Sequence, residues 1–374
     1  MGEHRITAGF MPLTDSLVLV VAREKGFAAA HGVDLMLIRE TSWANIRDRV
    51  AVGHFDVAHM LAPMPIAACL GLNPIDAPVV AVMSLGLGGN AVTVSRRLWA
   101  AMADAGAPSD FRAREVGAAL AQVVRAGGPK PRIGVVHPHS SHNYELRYWL
   151  AASGIHPDRD VEIVVLPPPL MADALKAGQI DGYCVGEPWN SVGVASGAGR
   201  IATVKAAIWQ RSPEKVLGAT GRWVADQGDA LAALLRALHE AALWCGDPAN
   251  HAEAATILSR PDYLGVPERV IGRALAGRIE AEPGRTVPVE DFFVPEAGDA
   301  NRPDPRHALW FYSQMVRWGD VEHSKENAAA AAACYRPDLY RAAVPGSGAA
   351  GLSTFFDARP FDPEKLDAYI ESQR

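Results

Sequence analysis

The chain has 374 residues, of which 49% are apolar and 21% charged, and a formal net charge of −6 at pH 7. Its length predicts more than one compact core at ~150 residues per domain, and its composition excludes disorder and coiled coil. No apolar run reaches the ~18 residues of a membrane helix, and the negative balance argues against a protein that coats nucleic acid, while leaving an anionic ligand open because a buried site makes its own local field.

Residues 6–10 have strand character. No basic n-region, apolar h-region or cleavage site precedes them, so with Met1 as the native start the expectation is a cytoplasmic protein. Residues 15–25 read as a helix with Asp15 as its N-cap and Gly26 as its stop. Residues 34–38, 79–83, 133–136 and 161–166 read as strands, being short, β-branched and bounded by Gly, Pro or charge. Helices are expected over 42–52, capped by Ser42, and over 143–152, ending before Ser153 and Gly154. Strands alternating with helices imply a parallel-rich α/β sheet. Farther on, 229–245 is an Ala/Leu-rich helix, 259–306 reads as loops with short helices, and 308–318 and 328–333 read as helices.

An internal echo sets the architecture. RDRVAVGHFDVAHMLAPMP at 47–65 and ADALKAGQIDGYCVGEPWN at 172–190 share a helix ending at Gly53 or Gly178, an Asp three residues later (Asp56, Asp181) and a short strand. Each then reaches a Pro seven residues past the Asp (Pro63, Pro188). Two similar αβαβ units follow, each with its own sheet. Such lobes face each other across a cleft lined by loops at the carboxyl ends of the strands. The expected boundaries are 1–92 with 206–374 for the first lobe and 93–205 for the second, the tail packing around the first lobe.

Trp43 falls in the first turn of a helix that follows a strand. Free backbone N–H groups and a partly positive helix end favour an anion there, and the indole adds a neutral donor; a packed core Trp is the alternative. His137, His139 and His142 have HxHxxH spacing, but the motif holds no Cys, Asp or Glu to complete a zinc site. They are either solvated loop histidines or polar ligand contacts, with His142 best placed at the opening of a helix. The glycines of 86–89 lack the Lys and Ser/Thr of a phosphate loop. They suit a crossing between lobes, after which Asn90 offers two amide donors. Lys215, in Pro213-Glu214-Lys215, reads alone as a solvated surface lysine, and 187–190 closes the second repeat over the cleft. Cys69, Cys184, Cys245 and Cys334 form no CxxC and read as buried reduced thiols. Without GxSxG, HExxH or CxxC the chain reads as a binding protein, with no cofactor and no metal.

These motifs carry a resemblance. Gly9 to Asp15, Ser42 to Asp48, Ala58 to Pro65, His142-Asn143 leading into Arg147 to Ala152, Pro167 to Pro169, Cys184 to Asn190 and Pro213 to Lys215 are similar to the nitrate-binding NrtA/NasS group of ABC-type solute-binding proteins. The resemblance covers about residues 6–250 and implies a two-lobed type II periplasmic-binding-protein fold, α/β in class, with a helical C-terminal tail. It carries Trp43, His142 and Lys215 over as nitrate contacts and Leu13 as a wall residue. Asn90 stands where transporter relatives have Gln, which keeps an amide donor on a shorter arm and leaves nitrate against nitrite open. With the bare N-terminus, the resemblance implies the NasS branch: a cytoplasmic nitrate/nitrite sensor that holds an RNA-binding, NasT-like ANTAR antiterminator until ligand arrives. The alternative is the substrate-binding component of a nitrate, bicarbonate or sulfonate ABC transporter. A pyrimidine-precursor synthase of the same fold would carry a cysteine-rich motif that is absent here.

Nitrate is planar, monovalent and hardly basic. Its recognition requires neutral N–H donors, one cation and the exclusion of water. Trp43, Asn90 and His142 with the Lys215 ammonium meet that description, the ammonium being expected to balance the anion.

Overall fold

A computed structural model of the chain describes residues 4–298, 300–346, 352 and 354–373. Two mixed sheets organise it. The first has the order β13 (Phe293–Val294), β4 (Val79–Gly88), β10 (Pro213–Thr220), β3 (Val57–Leu61), β1 (His4–Phe10), β2 (Val33–Arg39). The second has the order β7 (Glu162–Val165), β6 (Arg132–Val135), β8 (Gly182–Gly186), β5 (Asn90–Ser95), β9 (Gly199–Val204). β1 pairs in parallel with both β2 and β3, and β6 pairs in parallel with both β7 and β8. The repeated sequence is therefore a repeated topology.

The same atoms do the same work in both repeats. The helices Trp43–Ala51 and Met171–Lys176 each end ahead of a left-handed glycine, Gly53 at φ +76° and Gly178 at φ +70°. That conformation costs glycine little and L-residues more. Asp56 then donates its N–H to Thr7 O (3.0 Å) and accepts from Thr7 N (2.8 Å), which enters β3 beside β1. Asp181 donates to Arg132 O (2.7 Å) and accepts from Arg132 N (3.0 Å), which enters β8 beside β6. Each pair fixes the register of its parallel strands. Pro63 opens the next helix in the first repeat, and Pro188 caps it in the second.

Four expectations are corrected. The first crossing between sheets lies at Gly89, between β4 and β5, so Asn90, Ala91 and Val92 belong to the second sheet and not to the first unit. Both strands are apolar, and only the glycines mark the change. Asp15 is not a helix cap: Thr14–Ser16 is a 3-10 turn, the helix proper is Leu17–Glu24, and the Asp15 carboxylate is engaged elsewhere. Residues 259–306 contain a hairpin of β11 (Arg278–Glu282) and β12 (Arg285–Pro288), and β13 extends the first sheet along β4. A Cβ on Gly88 would lie 2.4 Å from Phe292 O, so only glycine lets β13 approach.

The tail is the fourth. Its helix Pro305–Arg317 packs on both Pro63–Cys69 and Ser141–Ala152, one from each half. Tyr148 meets Trp310 and Phe355 at ring distances of 5.7 and 5.1 Å, and its hydroxyl donates to Asp357 at 2.9 Å. The tail thus clamps the second half as well as the first.

Asp56→Ala and Asp181→Ala should each lower stability by about 1.5–3 kcal/mol, the range for a hydrogen bond to a charged group. Urea unfolding followed by tryptophan fluorescence checks this; a change in only one of the two would break their equivalence.

Candidate functional site

The five residues singled out from sequence meet where loops of the two halves face each other. Trp43 opens its helix, with Ser42 Oγ accepting from Asn45 N at 3.2 Å. The indole is buried, its Nε1 has no partner, and its ring lies 5.4 Å from that of His59 on β3. Lys215 Nζ sits 5.4 Å from the centre of the Trp43 ring. Asn90 begins β5 with both amide atoms buried and unpartnered. It pairs across the ladder with Gly186, where a Cβ would stand 3.0 Å from Asn90 Oδ1, 3.3 Å from Leu13 Cδ2 and 3.4 Å from Asp15 Oδ2. The bare Cα of Gly186 is what lets Leu13, Asp15 and Asn90 gather.

His142 lies in the first turn of Ser141–Ala152, wholly buried, with both ring nitrogens lacking a hydrogen-bond partner. His137 and His139 turn to other contacts: His137 Nδ1 accepts from His139 N at 3.1 Å, and His139 Nδ1 is 2.9 Å from the Tyr144 hydroxyl. Among the described residues no three His, Cys, Asp or Glu side chains are grouped to hold a metal ion. The turn at 187–190 joins the halves beside the site, since Thr14 N donates to Glu187 O at 2.8 Å and Trp189 Nε1 to Pro12 O at 3.0 Å.

Lys215 is neither solvated nor a spare cation. It is fully buried, and its ammonium lies 2.8 Å from Asp15 Oδ2 and 2.5 Å from Glu214 Oε1. Register shifts around Pro213, Lys215 and Val216 bulge β10, so that neighbours that would alternate across a regular strand turn to one cluster. Glu214 also accepts from Ser141 Oγ at 2.5 Å and from Lys205, and its Oε1 is 3.4 Å from His142 Nε2. Lys205 reaches Glu145 Oε1 at 2.9 Å. His59 Nδ1 accepts from Met11 N at 3.4 Å, which leaves Nε2 as the protonated nitrogen 3.0 Å from Asp15 Oδ1. A lone buried ammonium carries a desolvation cost of several kcal/mol, and the paired carboxylates offset it.

Burial and these pairings set the protonation states. Burial drives the His142 imidazole down to about 3 and the Glu145 carboxyl up to about 8. Burial also lowers His59, outweighing Asp15. Burial opposes ionisation of Asp15 and Glu214, yet both stay below the ordinary range, Asp15 through Lys215 and His59, Glu214 through His142, Lys205 and Lys215. Near pH 7 the cluster therefore holds the Asp15 and Glu214 carboxylates, a largely protonated Glu145 and two neutral imidazoles.

Sequence reading missed Asp15, His59, Glu145, Lys205 and Glu214. His59 carried a signal, as the one polar residue inside Val57-Ala58-His59-Met60-Leu61, a strand buried on both faces. The others look like surface charges until the fold removes water from them.

Residues 2–259 match the NMT1-like family. The chain belongs to that family. It is 34% identical over 98% of its length to the "Nitrate/nitrite binding protein NrtA" of Synechococcus elongatus, 85% of which is covered. It is 40% identical over 84% of its length to the "Bicarbonate transport ATP-binding protein CmpC" of Synechocystis, of which it spans 46%. The crystal structure of the periplasmic nitrate-binding protein NrtA from Synechocystis is similar with a TM-score of 0.90 at 30% identity, covering 100% of this chain and 99% of that one. This NMT1-like chain has the α/β periplasmic-binding-protein fold.

Two outcomes follow for the NMT1-like site. Lys215→Met strands Asp15 and Glu214, and should cost about 3–5 kcal/mol in denaturant unfolding, the range for breaking a buried pair; a loss below ~1 kcal/mol would show the pairing to be dispensable. Stability should also peak near pH 6.5. His137, His142 and His307 fall from 6.5 to about 3, 3 and 4 on folding, so their contribution is lost as pH drops below 6.5. Glu145 and Glu187 rise from 4.5 to about 8 and 7, so theirs is lost as pH climbs through that interval. Between pH 4.5 and 6.5 the three histidines outnumber the two glutamates, and above 6.5 the glutamates act alone. Urea midpoints from pH 4 to 9 test the dome, and Glu145→Gln should flatten its alkaline limb.

Proposed function

We propose that the chain binds nitrate or nitrite between its two halves and serves as a substrate-binding component of a transport system. One observation carries the reading. Trp43 Nε1, Asn90 Nδ2 and the neutral His142 imidazole, which carries one N–H, are buried and lack hydrogen-bond partners around the Lys215 ammonium. Buried polar groups in folded proteins are almost always satisfied. Several unsatisfied N–H donors beside one ammonium therefore suit an acceptor-only ligand of small size. Nitrate and nitrite are such ligands, carrying charge but no donor. Each hydrogen bond to the anion contributes ~1.5–3 kcal/mol, and a micromolar site needs about 8 kcal/mol. Three or four contacts supply that after ordering costs.

Bicarbonate is the competing ligand, supported by Asn90 Oδ1, an unpartnered acceptor able to meet its hydroxyl. The names of the relatives support delivery of an oxyanion to a transporter. They lend nothing to the sensor reading, to an NasT-like partner or to a cytoplasmic place, and no reaction is proposed.

Calorimetric titration with nitrate, nitrite, bicarbonate, sulfate and taurine should give micromolar binding for nitrate or nitrite and none for sulfate or taurine. Trp43→Phe, which keeps the ring and removes the N–H, should weaken nitrate about tenfold. Tight binding of a sulfonate alone would refute the reading. Nitrate-dependent release of a bound protein from native lysate would favour the sensor instead.

A further inference from the structure

The proposed ligand brings a negative charge into a cluster that has none to spare. Asp15 and Glu214 already neutralise Lys215 and Lys205. Glu145 is the third carboxyl, and it shares Lys205 with Glu214. The five residues come from four segments: Asp15 after β1, Glu145 from Ser141–Ala152, Lys205 after β9, and Glu214 with Lys215 from β10. An anion at Lys215 competes with Glu214 for that ammonium. Glu214 then depends more on Lys205, and Glu145 loses its counter-ion.

The surroundings of Glu145 leave it one response. It borders a narrow space of about 10 Å³ with Ala91, Val92, Ser141, His142, Cys184 and Lys205, room for about one water and too little to hydrate a carboxylate. Neither of its oxygens accepts a well-aligned hydrogen bond. The titratable and charged groups facing it are Lys205, Glu214, Lys215, His142 on its own helix and the Cys184 thiol. None of them can replace the cation it gives up. A neutral carboxylic acid is the form that fits.

Resting on the nitrate reading, we propose that Glu145 is the charge-setting residue of the site, and that the anion is held only while Glu145 carries a proton. The proton comes from solvent and forms an O–H bond at a Glu145 carboxylate oxygen; the ligand itself stays a monoanion. Glu145 touches no ligand in this arrangement and acts through Lys205 and Glu214, as a positioning residue. Where free Glu145 is ionised, one proton accompanies one monoanion and leaves the net charge of the site unchanged. Burial already holds the free Glu145 protonated up to about pH 8, so the coupling shows itself above neutrality. Release of the ligand is then favoured wherever pH rises.

Nitrate binding by the full chain is measured from pH 6 to 9.5 by calorimetry in two non-sulfonate buffers of different ionisation enthalpy. The expected Kd is flat below about pH 7.5 and weakens toward tenfold per pH unit above 8, with proton uptake approaching one per nitrate at pH 9. Glu145→Gln should remove both the slope and the uptake, while Glu145→Asp, which keeps a titratable carboxyl, retains them. Circular dichroism melts confirm that each variant is folded. If Glu145→Gln does not fold, proton uptake by the native chain still decides. Nitrate bound at constant Kd without proton uptake overturns the role of Glu145 and leaves the nitrate reading standing. No nitrate binding at any pH overturns the nitrate reading and this inference with it.

Discussion

A buried chain of alternating charges, Asp15–Lys215–Glu214–Lys205, with the largely protonated Glu145 at its end, is the constraint on which the rest of the molecule turns. Each charge is taken out of water, and each is tolerable only because its neighbours are held within ion-pair distance. Strand, loop and helix ends from both sheets are therefore committed to one place. Removing any member leaves an uncompensated charge inside the protein. That is why these elements meet so closely.

The donors follow from the chain. Trp43 and His142 each stand in the first turn of a helix, and Asn90 stands at the first residue of a strand. Such positions have side chains free of the regular ladder. The ionic chain brings them together from different lobes, and Gly186 leaves the space that they share with Leu13. Recognition of a weakly basic anion depends on many modest contacts made at once, so the precision of the scaffold matters more than the strength of any one donor.

The tail and the glycine crossing complete the frame. Gly88 and Gly89 let the chain pass from one sheet to the other while β13 closes over them. The helix Pro305–Arg317 with Phe355 packs against a helix from each half, so the tail spans the same division as the site. Any motion that opens the halves must disturb the packing of Pro305–Arg317 on one helix or the other. The tail helix therefore opposes such motion from outside, while the ionic chain opposes it from within.

Much of this was legible in the linear chain. The repeat at 47–65 and 172–190 foretold the doubled topology, because a left-handed glycine followed three residues later by an Asp is a local device that needs no distant partner. Trp43, Asn90 and His142 stand out by their local motifs, and Lys215 and Leu13 only by the family resemblance; the fold brings the five together. The pairing of Lys215 with Asp15 and Glu214 was not legible. These residues lie some two hundred positions apart or side by side in a strand that only its bulges turn inward. A charge in a sequence reads as solvated by default, and burial decides otherwise. By itself the sequence determined the repeated units, the helix starts and the residue types able to meet an anion, since these rest on local backbone geometry. Only the tertiary structure decided which charges lose water together, and hence the protonation state of the site, since desolvation is a property of the packed whole.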